Sequence, residues 1–122
     1  MTLSELYRLI DGDYEQATRV LRIEKLIDKH IRRFPTGGVP DALFAAAETM
    51  DATALFETSH AMKGVCANLG LMKLYEAASE ISEEYRPGNA RKFSDAEVKQ
   101  KIEAIKALYK KTAEGIRLYE QG

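Results

Sequence analysis

Apolar residues recur along this chain at intervals of three and four, and four short stretches interrupt them: Asp11-Gly12, Phe34 to Pro40, Asn68 to Gly70 and Arg86 to Ser94. Such intervals bring side chains to one face of a helix, so the segments between the interruptions are predicted as amphipathic helices. Leu3, Leu6 and Ile10 behind Thr2 and Glu5 predict a short first helix opened by a capping box. Asp13 with Gln16 predicts a second start. Val20, Ile23, Leu26, Ile27, Ile31 and Phe34 predict one helical face running from Val20 to Phe34, stopped by Pro35 and the glycines after it.

Pro40 suits the first turn of a helix, where its missing donor costs nothing, and Val39, Leu43, Ala46 and Met50 supply the stripe behind it. Asp51 can cap the next helix, whose seam is Leu55, Ser59, Met62, Cys66 and Leu69. Gly70 sits where a left-handed residue would end that helix, and Leu71, Leu74, Ala78, Ile81 and Tyr85 begin another set at once. So tight a join makes the two helices antiparallel neighbours. Ser94 with Glu97 forms a second capping box, followed at heptad spacing by Val98, Ile102, Ile105, Tyr109, Thr112, Ile116 and Tyr119. No segment alternates as a strand does. The expected fold is all-α, an antiparallel up-and-down four-helix bundle with one or two short N-terminal helices, in a single domain spanning residues 1–122.

Composition narrows the function. Hydrophobic residues make up 45% and charged residues 30%, the proportions of an ordinary globular chain. The net charge of −1 comes from interspersed acids and bases, which argues against binding nucleic acid or an anionic membrane surface. The single cysteine, Cys66, allows no internal disulfide and is compatible with a reducing compartment. The first residues carry no basic leader before an apolar run, and no window suits a membrane span, so the chain is expected in the cytoplasm. Met1 and the capping pattern after it suggest a separate protein.

The candidate chemistry lies in "HAMKGVCANLG", His60 to Gly70. With about 100° of turn per residue, His60 lies roughly 140° from the centre of the apolar seam and should face solvent. Gly64 follows one turn later, Ala67 after that, and Lys63 flanks the row. Glycine inside a helix costs about 1 kcal/mol relative to alanine, so Gly64 suits a place where another surface comes close. An exposed imidazole has an unprotonated nitrogen that can attack an electrophilic phosphorus, and Lys63 could hold the phosphoryl oxygens.

The run "HAMKGVCANLGLMKLYEAASEIS" resembles the central motif of histidine-containing phosphotransfer (HPt) domains: His, two residues, Lys, Gly, five residues, Gly, here His60, Lys63, Gly64 and Gly70. The likeness continues through Leu74 and Ile81, and the N-terminal "LSELYRLIDGDYEQA" is similar to small bacterial stand-alone members. The resemblance implies a bundle of five or six helices and a monomeric phosphorelay carrier. His60 would accept a phosphoryl group from an aspartyl phosphate on one receiver domain and pass it to another. Lys63 would stabilise the phosphorylated state, while Gly64, Ala67 and Phe56, with Leu71, would give clearance and a docking face. Receiver domains of response regulators or hybrid kinases are the implied partners. No cofactor is expected on this chain, and Mg2+ is expected on the receiver. The family often places Gln or Glu on the next helix to bond the imidazole's other nitrogen. Ser82 stands there instead, with Glu80 as a second candidate for orienting His60.

Other features read as structural. His30, between Ile27 and Phe34, is expected to be packed and hydrogen-bonded. Cys66 lies in the seam as a small buried residue, Tyr75, Tyr85, Tyr109 and Tyr119 fall at the core edge, and Lys106, Lys110 and Lys111 form a solvated face. No metal-ligand spacing, paired carboxylates or phosphate loop supports an enzyme with its own active site, so nothing beyond His60 is expected to be catalytic. The competing function is a helical adaptor that binds receivers or other partners without being phosphorylated.

Overall fold

Local capping explains most helix starts in the computed structural model, which describes all of residues 1–122. Thr2 and Glu5 exchange side-chain and backbone bonds at the head of α1 (Leu3–Leu9), and Asp13 accepts from Gln16 N–H at the head of α2 (Tyr14–Leu21). Helix α3 (Glu24–Arg33) follows after two residues, and α4 (Val39–Thr49) carries Pro40 in its first turn. Asp51 caps α5 (Ala52–Leu69) by accepting from Ala54 N–H. Helix α6 (Met72–Tyr85) then leads through a loop to α7 (Asp95–Gln121), opened by the Ser94–Glu97 capping box. There are no strands.

Four helices close a ring: α5 lies against α4 and α6, α6 against α7, and α4 meets α7. The apolar seams expected from the sequence fill its centre, with Leu43, Leu55, Met62, Ile81 and Ile105 fully buried. At 27 residues, α7 is about 40 Å long and extends beyond the shorter helices. The three N-terminal helices cover what the ring leaves open: α1 packs on α7, α2 on α5, and α3 on both. Tyr7 ties α1 to α5 by donating its buried hydroxyl to the Leu69 carbonyl at 2.6 Å.

The predicted face from Val20 to Phe34 is divided. Arg22, at a φ of 73°, ends α2, and extended Ile23 starts α3. Val20, Ile23 and Leu26 are exposed, whereas Ile27, Ile31 and Phe34 enter the core. The break follows from packing: α2 keeps Ala17 against α5, while α3 must turn to face α5 and α7 together. A straight helix would satisfy only one of these contacts.

The join between α5 and α6 fixes the height of the candidate site. Gly70, at a φ of 70°, donates to the Ala67 carbonyl, and Leu71 N–H reaches back to the Cys66 carbonyl, so the last carbonyls of α5 are satisfied in a Schellman arrangement. The Gly70 carbonyl also accepts from Asp13 N–H at 2.7 Å. A side chain at Gly70 would run into the Asp13 carbonyl, so glycine is required both by the left-handed backbone and by the close approach of α2.

Candidate functional site

The seam of α5 determines what the opposite face presents. Leu55, Ser59, Met62, Cys66 and Leu69 are buried, and the Ser59 hydroxyl satisfies itself on the Leu55 carbonyl at 2.6 Å. His60 therefore points outward and is exposed. One turn before it, the half-buried Phe56 ring stacks on the imidazole, with centroids 5.7 Å apart and planes inclined by 26°. One turn after it, Gly64 faces open space: a Cβ built there meets nothing within 4 Å.

Lys63 flanks this row on the side of α6. It is half-buried, with its ammonium 5.8 Å from the centre of the Tyr75 ring, and it acts on the Glu83 carboxylate through space. The hydrogen bond from Arg86 is the main reason the Glu83 carboxyl is held below its ordinary range. Ala67 is also half-buried, and its carbonyl accepts from Gln16 Nε2 at 3.3 Å, which brings α2 to the rim of the same face. Leu71, expected on that face, is instead in the core at 3% exposure, because the turn at Gly70 directs it inward.

Neither residue considered for orienting His60 hydrogen-bonds to it. Ser82 is fully buried, and its hydroxyl has no partner. Glu80 is exposed and paired with Lys101 of α7 at 2.9 Å. Both ring nitrogens of His60 are free of hydrogen bonds to the chain, so the contact that the structure gives the ring is Phe56. Behind Phe56 lies Arg86, its guanidinium carbon 6.0 Å from the ring centre, held in turn by Glu83 at 2.7 and 3.1 Å.

Sequence reasoning placed Phe56 on the face around His60 but missed the Arg86–Glu83 pair that adjoins it. The four-residue interval between Phe56 and His60 was a signal for the first contact; Arg86 offered none, because its place depends on how α6 ends. It also missed Glu84, a buried carboxylate that accepts from Lys92 N–H and Phe93 N–H at 3.0 Å and from Arg91 Nε at 2.7 Å. Burial pushes that carboxyl up, but the bonds from Arg91 and the two backbone groups outweigh it and hold it below its ordinary value. Glu84 thereby pins the loop between α6 and α7.

The other histidine departs from expectation. His30 is exposed and makes no hydrogen bond, since α3 turns Ile27, Ile31 and Phe34 inward and leaves His30 at the rim. There it borders a cavity of about 190 Å³ shared with Leu21, Val39 and Val65. Cys66 is buried, and burial pushes its thiol up to about 12, which makes it unreactive. No group of three acidic, histidine or cysteine side chains could hold a metal ion, and no helix is long and apolar enough to cross a membrane.

An exposed imidazole on a rigid helix, with a lysine three residues on and cleared space after it, suits transfer of an anionic group to and from a docked partner. The family model described as Hpt domain matches residues 14–108, a span that contains α2 through α6 and about half of α7. No curated protein and no solved structure matches the chain. The family match covers most of the chain, and with it the face of α5 that carries His60: the protein belongs to the Hpt domain family, whose members carry phosphoryl groups on histidine in phosphorelays.

Proposed function

We propose that His60 is the phosphoacceptor of this Hpt domain, taking a phosphoryl group from an aspartyl phosphate on one receiver domain and passing it to another. The observation that carries this reading is the outward imidazole of His60 beside Lys63, with empty space above Gly64. In the forward step the unprotonated ring nitrogen attacks phosphorus, an N–P bond forms, and the acyl phosphate P–O bond breaks. The electron pair leaves with the aspartate carboxylate, and the proton on the other ring nitrogen stays in place. Return to a second receiver is the same exchange reversed.

Lys63 supplies a charge-assisted donor to the phosphoryl oxygens, and the open surface over Gly64, with the small side chain of Ala67 near it, admits the partner. The chain itself contributes the nucleophile and a docking face. Metal and further positive charge belong to the receiver, so the carrier needs no cofactor of its own. The reading takes the carrier as a monomer in the cytoplasm, in keeping with its single buried cysteine.

Intact mass after incubation with a phosphoramidate-loaded receiver domain tests the assignment on the wild type and on His60→Gln. A single acid-labile phosphoryl adduct on the wild type, missing from the variant, is the expected result. An adduct that survives in His60→Gln moves the acceptor elsewhere. A wild type that binds receiver without taking a phosphoryl group is an adaptor instead.

A further inference from the structure

We infer that Phe56 is the positioning residue for His60, holding the imidazole by stacking where no side chain of α6 holds it by a hydrogen bond. The inference rests on His60 being the acceptor. It begins from a requirement of the transfer step: the attacking nitrogen must lie in line with the P–O bond that breaks, so rotation of the imidazole about its last side-chain torsion has to be restricted. That torsion is broad and weakly restrained in an exposed histidine.

Three observations show what restrains it here. Neither candidate on α6 bonds the imidazole: Ser82 is buried in the core with its hydroxyl unpartnered, and Glu80 is paired with Lys101. The Phe56 ring is stacked on the imidazole in an offset, tilted arrangement, with planes inclined by 26° and centroids 5.7 Å apart. Phe56 is itself backed by the Arg86 guanidinium at 6.0 Å, and Arg86 is fixed by two bonds to Glu83. Glu83 in turn accepts from Asn89 at 3.3 Å, and Asn89 also donates to the Glu83 carbonyl at 2.9 Å. The end of α6 is thus connected to His60 through a cation and an aromatic ring.

Phe56 sits one helical turn before His60, so both rings rise from the same rigid backbone. A flat ring against the imidazole fixes the plane of the imidazole while leaving its nitrogens on the open edge. A hydrogen bond would fix one nitrogen and occupy it. Stacking leaves both available to solvent and partner.

The test uses the whole chain with a receiver domain phosphorylated by phosphoramidate, measuring the maximal transfer rate separately from half-saturation by receiver. Phe56→Ala is expected to lower the maximal rate about threefold to tenfold with half-saturation unchanged within about twofold, and Phe56→Tyr to restore it. A loss confined to half-saturation makes Phe56 a docking residue only and overturns the inference, as does a wild-type rate in Phe56→Ala.

A second measurement holds even if Phe56→Ala folds poorly. The chain has two histidines, and only His60 stacks on an aromatic ring, so His30 is an internal reference. In proton NMR of the wild type, the His60 ring protons should be displaced by the Phe56 ring current relative to those of His30, and Phe56→Tyr should keep the displacement. Coincident shifts for the two histidines overturn the inference. If the displacement is present but no phosphoryl group is ever accepted, the carrier reading fails while the stack stands.

Discussion

Replacing Gly64 by alanine should move stability and function in opposite directions. Gly64 lies inside α5, and an added Cβ meets no atom of the chain within 4 Å. The methyl therefore costs nothing sterically in the free protein, while the helix gains about 0.8–1.0 kcal/mol of propensity. For a chain of 122 residues the entropy of unfolding near 60 °C is about 0.26 kcal/mol/K, so Tm should rise by about 3–4 °C. The same methyl enters the clearance one turn beyond His60, where a docked partner must approach. Crowding a packed contact by one carbon costs about 1–3 kcal/mol, which slows transfer roughly 5- to 150-fold at subsaturating receiver. Calorimetry reads the first effect, and single-turnover transfer from a phosphorylated receiver reads the second. Labelling by phosphoramidate, a small donor, should change far less. A lowered Tm would refute the open placement of Gly64, and a raised Tm with wild-type transfer would refute the need for clearance.

Two further substitutions test the frame that holds the site. Gly70→Ala should destabilise by about 2–4 kcal/mol, since the left-handed backbone disfavours any side chain and the added carbon runs into the Asp13 carbonyl; an unchanged urea midpoint would contradict this. Glu84→Gln should lose about 2–3 kcal/mol by replacing a buried carboxylate that accepts from Arg91, Lys92 and Phe93, measured by chemical denaturation at neutral pH. The folded Glu84 carboxyl is held below its ordinary value of 4.5, so its contribution is present above that pH and is lost as pH falls through the folded value. The stability gap between wild type and Glu84→Gln should accordingly narrow below pH about 4.5, and a gap constant down to strongly acid pH would remove the carboxylate from the argument.

Much of the site's frame is legible in the chain itself. Thr2 with Glu5, Asp13, Asp51 and Ser94 with Glu97 act on backbone groups within three residues, so their bonds follow from local geometry alone. The buried seam of α5 follows from the interval between its apolar residues, and the outward direction of His60 follows from that seam. Gly70 could be assigned to a left-handed turn because a helix ended there and another began.

Other features depend on segments that meet only in the folded chain. The division at Arg22 and Ile23 arises because α2 and α3 face different neighbours, although their apolar residues share one period. His30 sits at the edge of the same stripe as Ile27 and Phe34, and the angle of α3 decides that it stays outside. Ser82 lies at the position where an orienting side chain was expected, and the rotation of α6 takes it into the core.

The sequence by itself determined most helices, the caps at Thr2, Asp13, Asp51 and Ser94, and the row of His60, Lys63 and Gly64, because each depends on residues within a turn or two of one another. Tertiary structure alone decided that Arg86 backs the Phe56 ring and that Glu84 pins the loop after α6. Contacts of that kind depend on how separate elements are rotated and where they end, and packing of the whole bundle sets both.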